Sequence, residues 1–483
     1  MKLAGLMVVG LIACASSAVH AGTDWQTLHE KLMAIQSSQA VPSMGLVILD
    51  QGRPVFVAAT GRGTTTGSPY RWGSITKTLT ALTMLQLLAE RGVSLTDTVA
   101  GHLSGMVAES SPAPMPTPLF DNPWEAEQPL RLVHLLELTA GLPDLTASEF
   151  NDNTRLTLQE ALARNANQRR LLWPPGLQHS YSNVPPGIAA AVIERISGLR
   201  YEQAVEQLVL APLKMHGAGF ERTDDLPGGF RADGLTEIPY WNMTFRAFGG
   251  FNASLDAMAR LLETLLNGGQ LAGRQVLNSA AVSRLFQAES SLGARAGLEV
   301  TCGAGLYGWV NGGHLFYGHG GDADGYRSRL GLLPSAGRGY LLVINSDNPG
   351  ALRRLQKQVE AALTADLPQA EAPEPVPTSA QALSLLTGTY YPSSTRFQIS
   401  RWRSGDRPTA EISIHRGALI FVKGNRRQSL VPMGRNRFRR PGDPAVSVVF
   451  TPFEDSLYLQ GELGNYVRVR PDGCPGFIPG CDS

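Results

Sequence analysis

Leu28, Leu32 and Ile35 share one face of residues 24–39, a spacing that predicts an amphipathic helix. The apolar period then changes. Residues 44–49 and 54–57 are apolar runs around Gln51-Gly52-Arg53 and read as a hairpin. A long helix is predicted from Ser74 to Arg91, with Leu79, Leu82 and Leu85 on its apolar side and Gly92 ending it. Residues 107–129 are proline-rich without an apolar period, which predicts a long surface excursion. Helical spacing returns over 132–138, over 187–196 behind Pro185-Pro186, and over 255–266 before Gly268-Gly269. Strands over 327–333 and 340–345 and a helix over 352–363 follow. Strands at both ends with helices between them predict an α+β domain, residues 22–365, with a mostly antiparallel sheet.

Residues 366–380 are rich in Pro, Ala and Glu and predict an extended linker. Beyond it the period is two. Residues 410–414, 418–422, 446–450 and 466–470 read as short strands of a small β-barrel or sandwich domain, residues 381–483. Within it Arg435, Arg437, Arg439 and Arg440 alternate as one exposed strand face would. Two readings stand for that run: a solvated edge protected from pairing, or peripheral contact with an anionic envelope surface.

Composition narrows the function classes. Hydrophobic residues at 43% and charged residues at 17% describe a folded globular protein with a large core. A net charge of +1 gives no electrostatic footprint for nucleic acid, and no nucleic-acid partner is expected. Residues 1–21 carry Lys2, an apolar core over 3–14 and the small-residue site Val19-His20-Ala21, which together predict a signal peptide and an exported, periplasmic or secreted protein. An alternative reading makes Cys14 the acylated residue of a lipoprotein. No other segment is long and apolar enough to span a bilayer. In an exported chain, Cys474 and Cys481 are candidates for a small terminal disulfide, and Cys302 is left as a buried thiol.

Three short motifs carry the candidate chemistry. Ser74-Ile75-Thr76-Lys77 opens the long helix, where unpaired N–H groups favour developing negative charge and the Lys77 amine lies one turn from the hydroxyl. A lysine desolvated there could accept the serine proton. Tyr181-Ser182-Asn183 follows the rigid turn Trp173-Pro174-Pro175-Gly176 and offers a phenol for proton relay and an amide for positioning. His319-Gly320-Gly321 is read as a strand start whose glycines admit a substrate close to the backbone. Each has a plain alternative: Ser74 as a helix cap, Tyr181 as packing, Asn183 as a turn residue, His319 as a loop histidine. Their order, and gaps of 107 residues (74 to 181) and 138 residues (181 to 319), favour the joint reading.

On these motifs, and on residues 135–143, 211–215, 250–254 and 266–269, the stretch from about 24 to 365 resembles the class C β-lactamase-related serine hydrolases. That group includes D-alanyl-D-alanine carboxypeptidases, D-aminopeptidases and esterases. The resemblance implies Ser74 as nucleophile, Lys77 as its base or base partner and Tyr181 as proton relay. It implies Asn183, His319, Gly320 and Gly321 as substrate-binding positions and the backbone N–H groups of Ser74 and Asp322 as the oxyanion hole. It implies a small-molecule or peptide substrate, and neither a metal nor an organic cofactor. One departure matters: many relatives have Lys-Thr-Gly where this chain has His319-Gly320-Gly321. A histidine near its ordinary pKa is a poor fixed charge at neutral pH, which favours esters or uncharged amides over β-lactams. Arg327 is the candidate to read an anion instead. The expected ranking is an esterase, then a D-amino-acid peptidase, then a β-lactamase, with a catalytically silent envelope-binding protein as the non-enzymatic rival.

Overall fold

A computed structural model of the chain describes residues 24–61, 63–104, 119–152, 156–394 and 409–468. The opening hairpin is β1 (Met44–Asp50) and β2 (Arg53–Thr60). Late in the first domain come β3 (Tyr307–Asn311), β4 (His314–Ala323), β5 (Tyr326–Leu333) and β6 (Arg338–Ile344). They form one antiparallel sheet in the order β2-β1-β6-β5-β4-β3, with Leu46 of β1 opposite Leu342 of β6. The principal helices are α1 (Trp25–Ser38), α2 (Thr76–Arg91), α3 (Val184–Ser197), α4 (Leu255–Leu266) and α5 (Pro349–Thr364).

Both faces of this sheet are covered, which is why β1 and β6 read as continuous apolar runs rather than alternating ones. Val47, Leu49, Leu341 and Val343 face the larger core, built with α2, α3 and α4. Leu46, Ile48, Leu342 and Ile344 face the other way, onto α1 and α5. Asp24 starts α1 by accepting from the backbone N–H groups of Gln26 and Thr27. Helix α2 is buried on every side from Thr76 to Leu88. Its threonines tolerate this because their hydroxyls donate to carbonyls: Thr78 to Gly305, Thr80 to Ala247 and Thr83 to Leu79.

Three expectations for this domain change. Ser74 lies in a 3₁₀ turn, Gly73–Ile75, that leads into α2, rather than in the α-helix itself. His319-Gly320-Gly321 lies inside the long strand β4, not at its start. The proline-rich excursion is not all surface, because Leu119 and Phe120 are buried in the larger core. Spaced prolines hide an apolar pair that has no periodic neighbours to announce it.

The second domain is a closed antiparallel barrel rather than a sandwich. Its strands are β7 (Gly388–Pro392), β8 (Ala410–His415), β9 (Ala418–Lys423), β10 (Arg426–Pro432), β11 (Arg437–Arg439), β12 (Val448–Phe453), β13 (Ser456–Gly461) and β14 (Tyr466–Arg468). Closure comes from β7 pairing with β14. Tyr390, Phe421, Phe438, Phe450 and Tyr466 are buried inside it. The arginine run does not present one exposed face. Arg439 is buried and donates to the Pro373 carbonyl at 2.7 Å, Arg440 pairs with Asp443 and Glu462, and Arg435 alone of the four is exposed. The connecting segment leans on the barrel, with Val376 N–H donating to the Pro432 carbonyl at 2.9 Å. Cys302 is buried, and burial pushes its thiol up to about 12. The leader over 1–21, with Cys14, and the Cys474–Cys481 pair lie outside the described residues.

Candidate active site

The turn that carries Ser74 is held from three sides. Trp72 N–H donates to the Phe251 carbonyl at 3.0 Å, and its indole N–H to the Ala253 carbonyl at 2.9 Å. From β5 the Ser328 hydroxyl donates to the Trp72 carbonyl at 2.9 Å. Strand β4 crosses directly against the same turn. A Cβ on Gly73 would lie 2.6 Å from the Asp322 nitrogen, and one on Gly321 would lie 1.9 Å from the Trp72 carbonyl oxygen. Gly73 also has a φ of +55°, a left-handed conformation that glycine adopts without strain. The two glycines therefore let the backbones of residues 72–74 and 321–322 touch.

Lys77 is buried and points its amine at three oxygens: Ser74 Oγ at 3.1 Å, Asn183 Oδ1 at 2.7 Å and the Phe248 carbonyl at 2.8 Å. Asn183 Oδ1 and the Phe248 carbonyl can only accept. In the neutral amine they take its two N–H groups and leave the lone pair for the Ser74 hydroxyl proton. Asn183 is itself fixed by Asp144, which accepts from its backbone N–H at 2.8 Å and faces its side-chain amide at 3.4 Å. The ring of Tyr181 packs against this cluster, its centroid 4.8 Å from Lys77 Nζ and 6.2 Å from that of His319.

His319 is buried between Tyr181 and Tyr307. Its Nδ1 lies 2.6 Å from the Gly320 carbonyl oxygen. A carbonyl only accepts, so Nδ1 carries the hydrogen. Strand β3 pairs with β4 only as far as Gly318, so residues 319–323 extend past their neighbour on that edge. Ser74, Tyr181, Asn183, His319, Gly320, Gly321 and Asp322 all line one open cleft of about 610 Å³. All the residues singled out in the three motifs thus meet in one place.

Arg327, the sequence candidate for reading an anion, is held by two carboxylates instead. It donates to Asp322 at 2.8 Å and to Asp347 at 2.5 and 2.9 Å. Sequence reasoning missed four contributors. Asp144 stands in the turn Gly141-Leu142-Pro143-Asp144, where a turn aspartate looks ordinary. The Phe248 carbonyl is backbone and leaves no signal. Arg329 and Tyr307 line the cleft beside Gly320. The barrel also reaches it, through Gln460, Gly461, Glu462 and Asn465, a proximity that no local pattern announces.

Residues 25–365 match the family model described as Beta-lactamase. A protein named "Beta-lactamase" from Escherichia coli (strain K12) is 24% identical over 250 residues, which is 50% of this chain and 60% of that protein. A "Penicillin-binding protein 4" from Amycolatopsis lactamdurans is 24% identical over 348 residues, 66% of this chain and 84% of that one. The chain spans less than two thirds of the E. coli relative, and the same holds for a "Beta-lactamase" from Yersinia enterocolitica, at 65%. Among solved structures, the octameric penicillin-binding protein homologue from Pyrococcus abyssi superposes with a TM-score of 0.57 at 20% identity, covering 92% of this chain and all of that one. SurE superposes with a TM-score of 0.59 at 21% identity, covering 92% of this chain and 98% of that one. At such identities the structural likeness carries the fold.

Proposed function

Because the chain belongs to the beta-lactamase family of serine hydrolases, we propose that it cleaves esters by acyl transfer through Ser74. The observation that carries the reading is the seat of Lys77, whose amine meets Ser74 Oγ at 3.1 Å while Asn183 and the Phe248 carbonyl hold its other hydrogens. The Ser74 oxygen attacks the acyl carbon as its proton passes to Lys77, and the leaving oxygen takes a proton from the cluster with Tyr181 beside it. Water then attacks the acyl-enzyme, releases the acid and restores Ser74. The N–H groups of Ser74 and Asp322 supply the oxyanion site, for which the contact of Gly73 with Asp322 is the support. A second reading, hydrolysis of a D-peptide amide or a β-lactam, draws support from the names of the relatives.

The test is hydrolysis of a short chromogenic aryl ester by wild type, Ser74→Ala and Lys77→Ala. Turnover in the wild type, abolished in Ser74→Ala and reduced about 10²–10⁴-fold in Lys77→Ala, is the expected result. Equal turnover in all three folded proteins would remove the serine mechanism. Turnover of D-peptides or β-lactams without esters would select the second reading.

A further inference from the structure

Asp144 does not line the cleft, yet its carboxylate is bound to the residue that holds Lys77. Its Oδ1 accepts from two backbone N–H groups, Asn183 at 2.8 Å and Leu145 at 2.9 Å. Its Oδ2 faces the side-chain Nδ2 of Asn183 at 3.4 Å. The turn that carries it is tied to the Asn183 segment a second time, because the Ser182 hydroxyl donates to the Pro143 carbonyl at 2.8 Å. Behind that turn, Leu172 N–H donates to the Gly141 carbonyl at 2.9 Å. The carboxylate is therefore fixed relative to the Asn183 amide by bonds that involve no reacting group.

An amide has an accepting end and a donating end, and Lys77 responds to them differently. As an ammonium it donates only, and selects Oδ1 unaided. As a neutral amine it can meet either end. Oδ1 accepts one of its N–H groups at 2.7 Å, whereas Nδ2 in that place would donate to its lone pair. That lone pair is what the Ser74 hydroxyl, 3.1 Å away, needs for its proton. A carboxylate only accepts, so Asp144 draws Nδ2 to itself and leaves Oδ1 for Lys77. The bond of 3.4 Å is long, but a flipped amide would set Oδ1 against Oδ2 with no hydrogen between them.

We propose that Asp144 is a positioning residue for the acyl transfer: it locks the Asn183 amide with Oδ1 toward Lys77 and so keeps the lysine lone pair directed at Ser74. The inference rests on the serine-hydrolase reading and adds to it the group that holds the base in its proton-accepting arrangement.

The experiment uses the full chain and the short chromogenic aryl ester. Asp144→Asn keeps the shape and one oxygen. That oxygen stays with the two backbone N–H groups, so the new NH₂ faces Asn183 and turns its Oδ1 away from Lys77. The variant is expected to lower kcat about 10- to 100-fold while KM changes less than about threefold. A second arm exchanges the two side chains, combining Asp144→Asn with Asn183→Asp. The carboxylate at position 183 then accepts from the amide at 144 and has no donor to present to Lys77. With each protein at its own pH optimum, the exchange is expected to raise kcat about fivefold or more above Asp144→Asn alone. A folded Asp144→Asn with wild-type kcat would overturn the inference and leave the serine mechanism standing. So would an exchange variant no faster than Asp144→Asn. Wild-type turnover that survives Ser74→Ala would remove the serine mechanism and the inference with it. If Asp144→Asn does not fold, Asp144→Ser takes its place, since a hydroxyl there is too short to hold the Asn183 amide. Its kcat is expected to fall, and kcat at the wild-type level would overturn the inference.

Discussion

Asn465, in the barrel, donates from its side-chain amide to the carbonyl of His179 at 2.7 Å, two residues before Tyr181. The bond joins the second domain to the segment that carries the phenol of the candidate site. Gln460 repeats the pattern, donating to the Leu177 carbonyl at 2.8 Å and accepting from Gly293 N–H at 2.7 Å. Gln178 and Ser393 close the contact with hydrogen bonds of 2.6 Å in both directions. The barrel therefore buttresses the tyrosine loop as well as lining the cleft.

Cutting these ties is expected to impair catalysis without touching a reacting group. Asn465→Ala combined with Gln460→Ala takes the partner from the His179 carbonyl and the Gly293 N–H at the interface, each costing about 1–3 kcal/mol when buried. Displacement of Tyr181 is expected to lower ester kcat about 10- to 100-fold, more than it changes KM. Thermal unfolding and steady-state kinetics on the double variant check both effects. Full turnover in a folded double variant would reduce the barrel to a neighbour.

The two glycines of the third motif are expected to respond differently to alanine. A Cβ on Gly321 meets backbone, the Trp72 carbonyl at 1.9 Å, and Ser328 Oγ at 2.3 Å. The carbonyl cannot move without separating β4 from the turn of Ser74. A Cβ on Gly320 meets the flexible end of Arg329 at 3.1 Å. Gly321→Ala is expected to cost at least about 1–3 kcal/mol of stability, the usual range for overpacking, and most of the ester turnover. Gly320→Ala is expected to keep its stability within about 1 kcal/mol, the adjustment being a side-chain one. Chemical denaturation of the pair measures the contrast. Equal stability would mean that β4 does not press on the turn of Ser74.

Much of this architecture was legible because its signals are local. The apolar period placed α1, α3 and α4, and the buried runs over residues 44–49 and 340–345 marked β1 and β6. Ser74, Lys77, Tyr181 and Asn183 could be singled out because each sits in a short motif. What escaped depends on contacts distant in sequence. Arg329 and Arg327 look alike on one strand, and only the register with β4 and the carboxylates of Asp322 and Asp347 separates them. Three barrel strands, β7, β10 and β13, were missed because Arg426 and Arg427 break the alternation of β10 and the apolar residues of β7 and β13 run together rather than alternate. Asp144 and Asn465 act through side-chain bonds to partners 39 and 286 residues away, which no periodicity records.

His134 gives the fold an acid limit. It is buried, and its Nδ1 accepts from the Arg131 backbone N–H at 3.1 Å, which requires the unprotonated nitrogen. Burial first, then the charges of Arg131 and Arg295, lower its pKa from 6.5 to about 4. The unfolded chain binds this proton near pH 6.5, whereas the folded chain resists it until about pH 4. The stability is therefore fully present above 6.5 and is lost as the pH falls through that window, by about 3 kcal/mol at most for this group. His179, lowered to about 4 by burial, acts in the same direction beside the tyrosine loop. Urea unfolding of wild type at pH 7 and pH 4.5 is expected to show the loss. His134→Asn, which keeps an acceptor but cannot titrate, is expected to flatten part of the slope and leave the share of His179. A slope equal to that of wild type would mean that His134 is hydrated enough to protonate in the folded state.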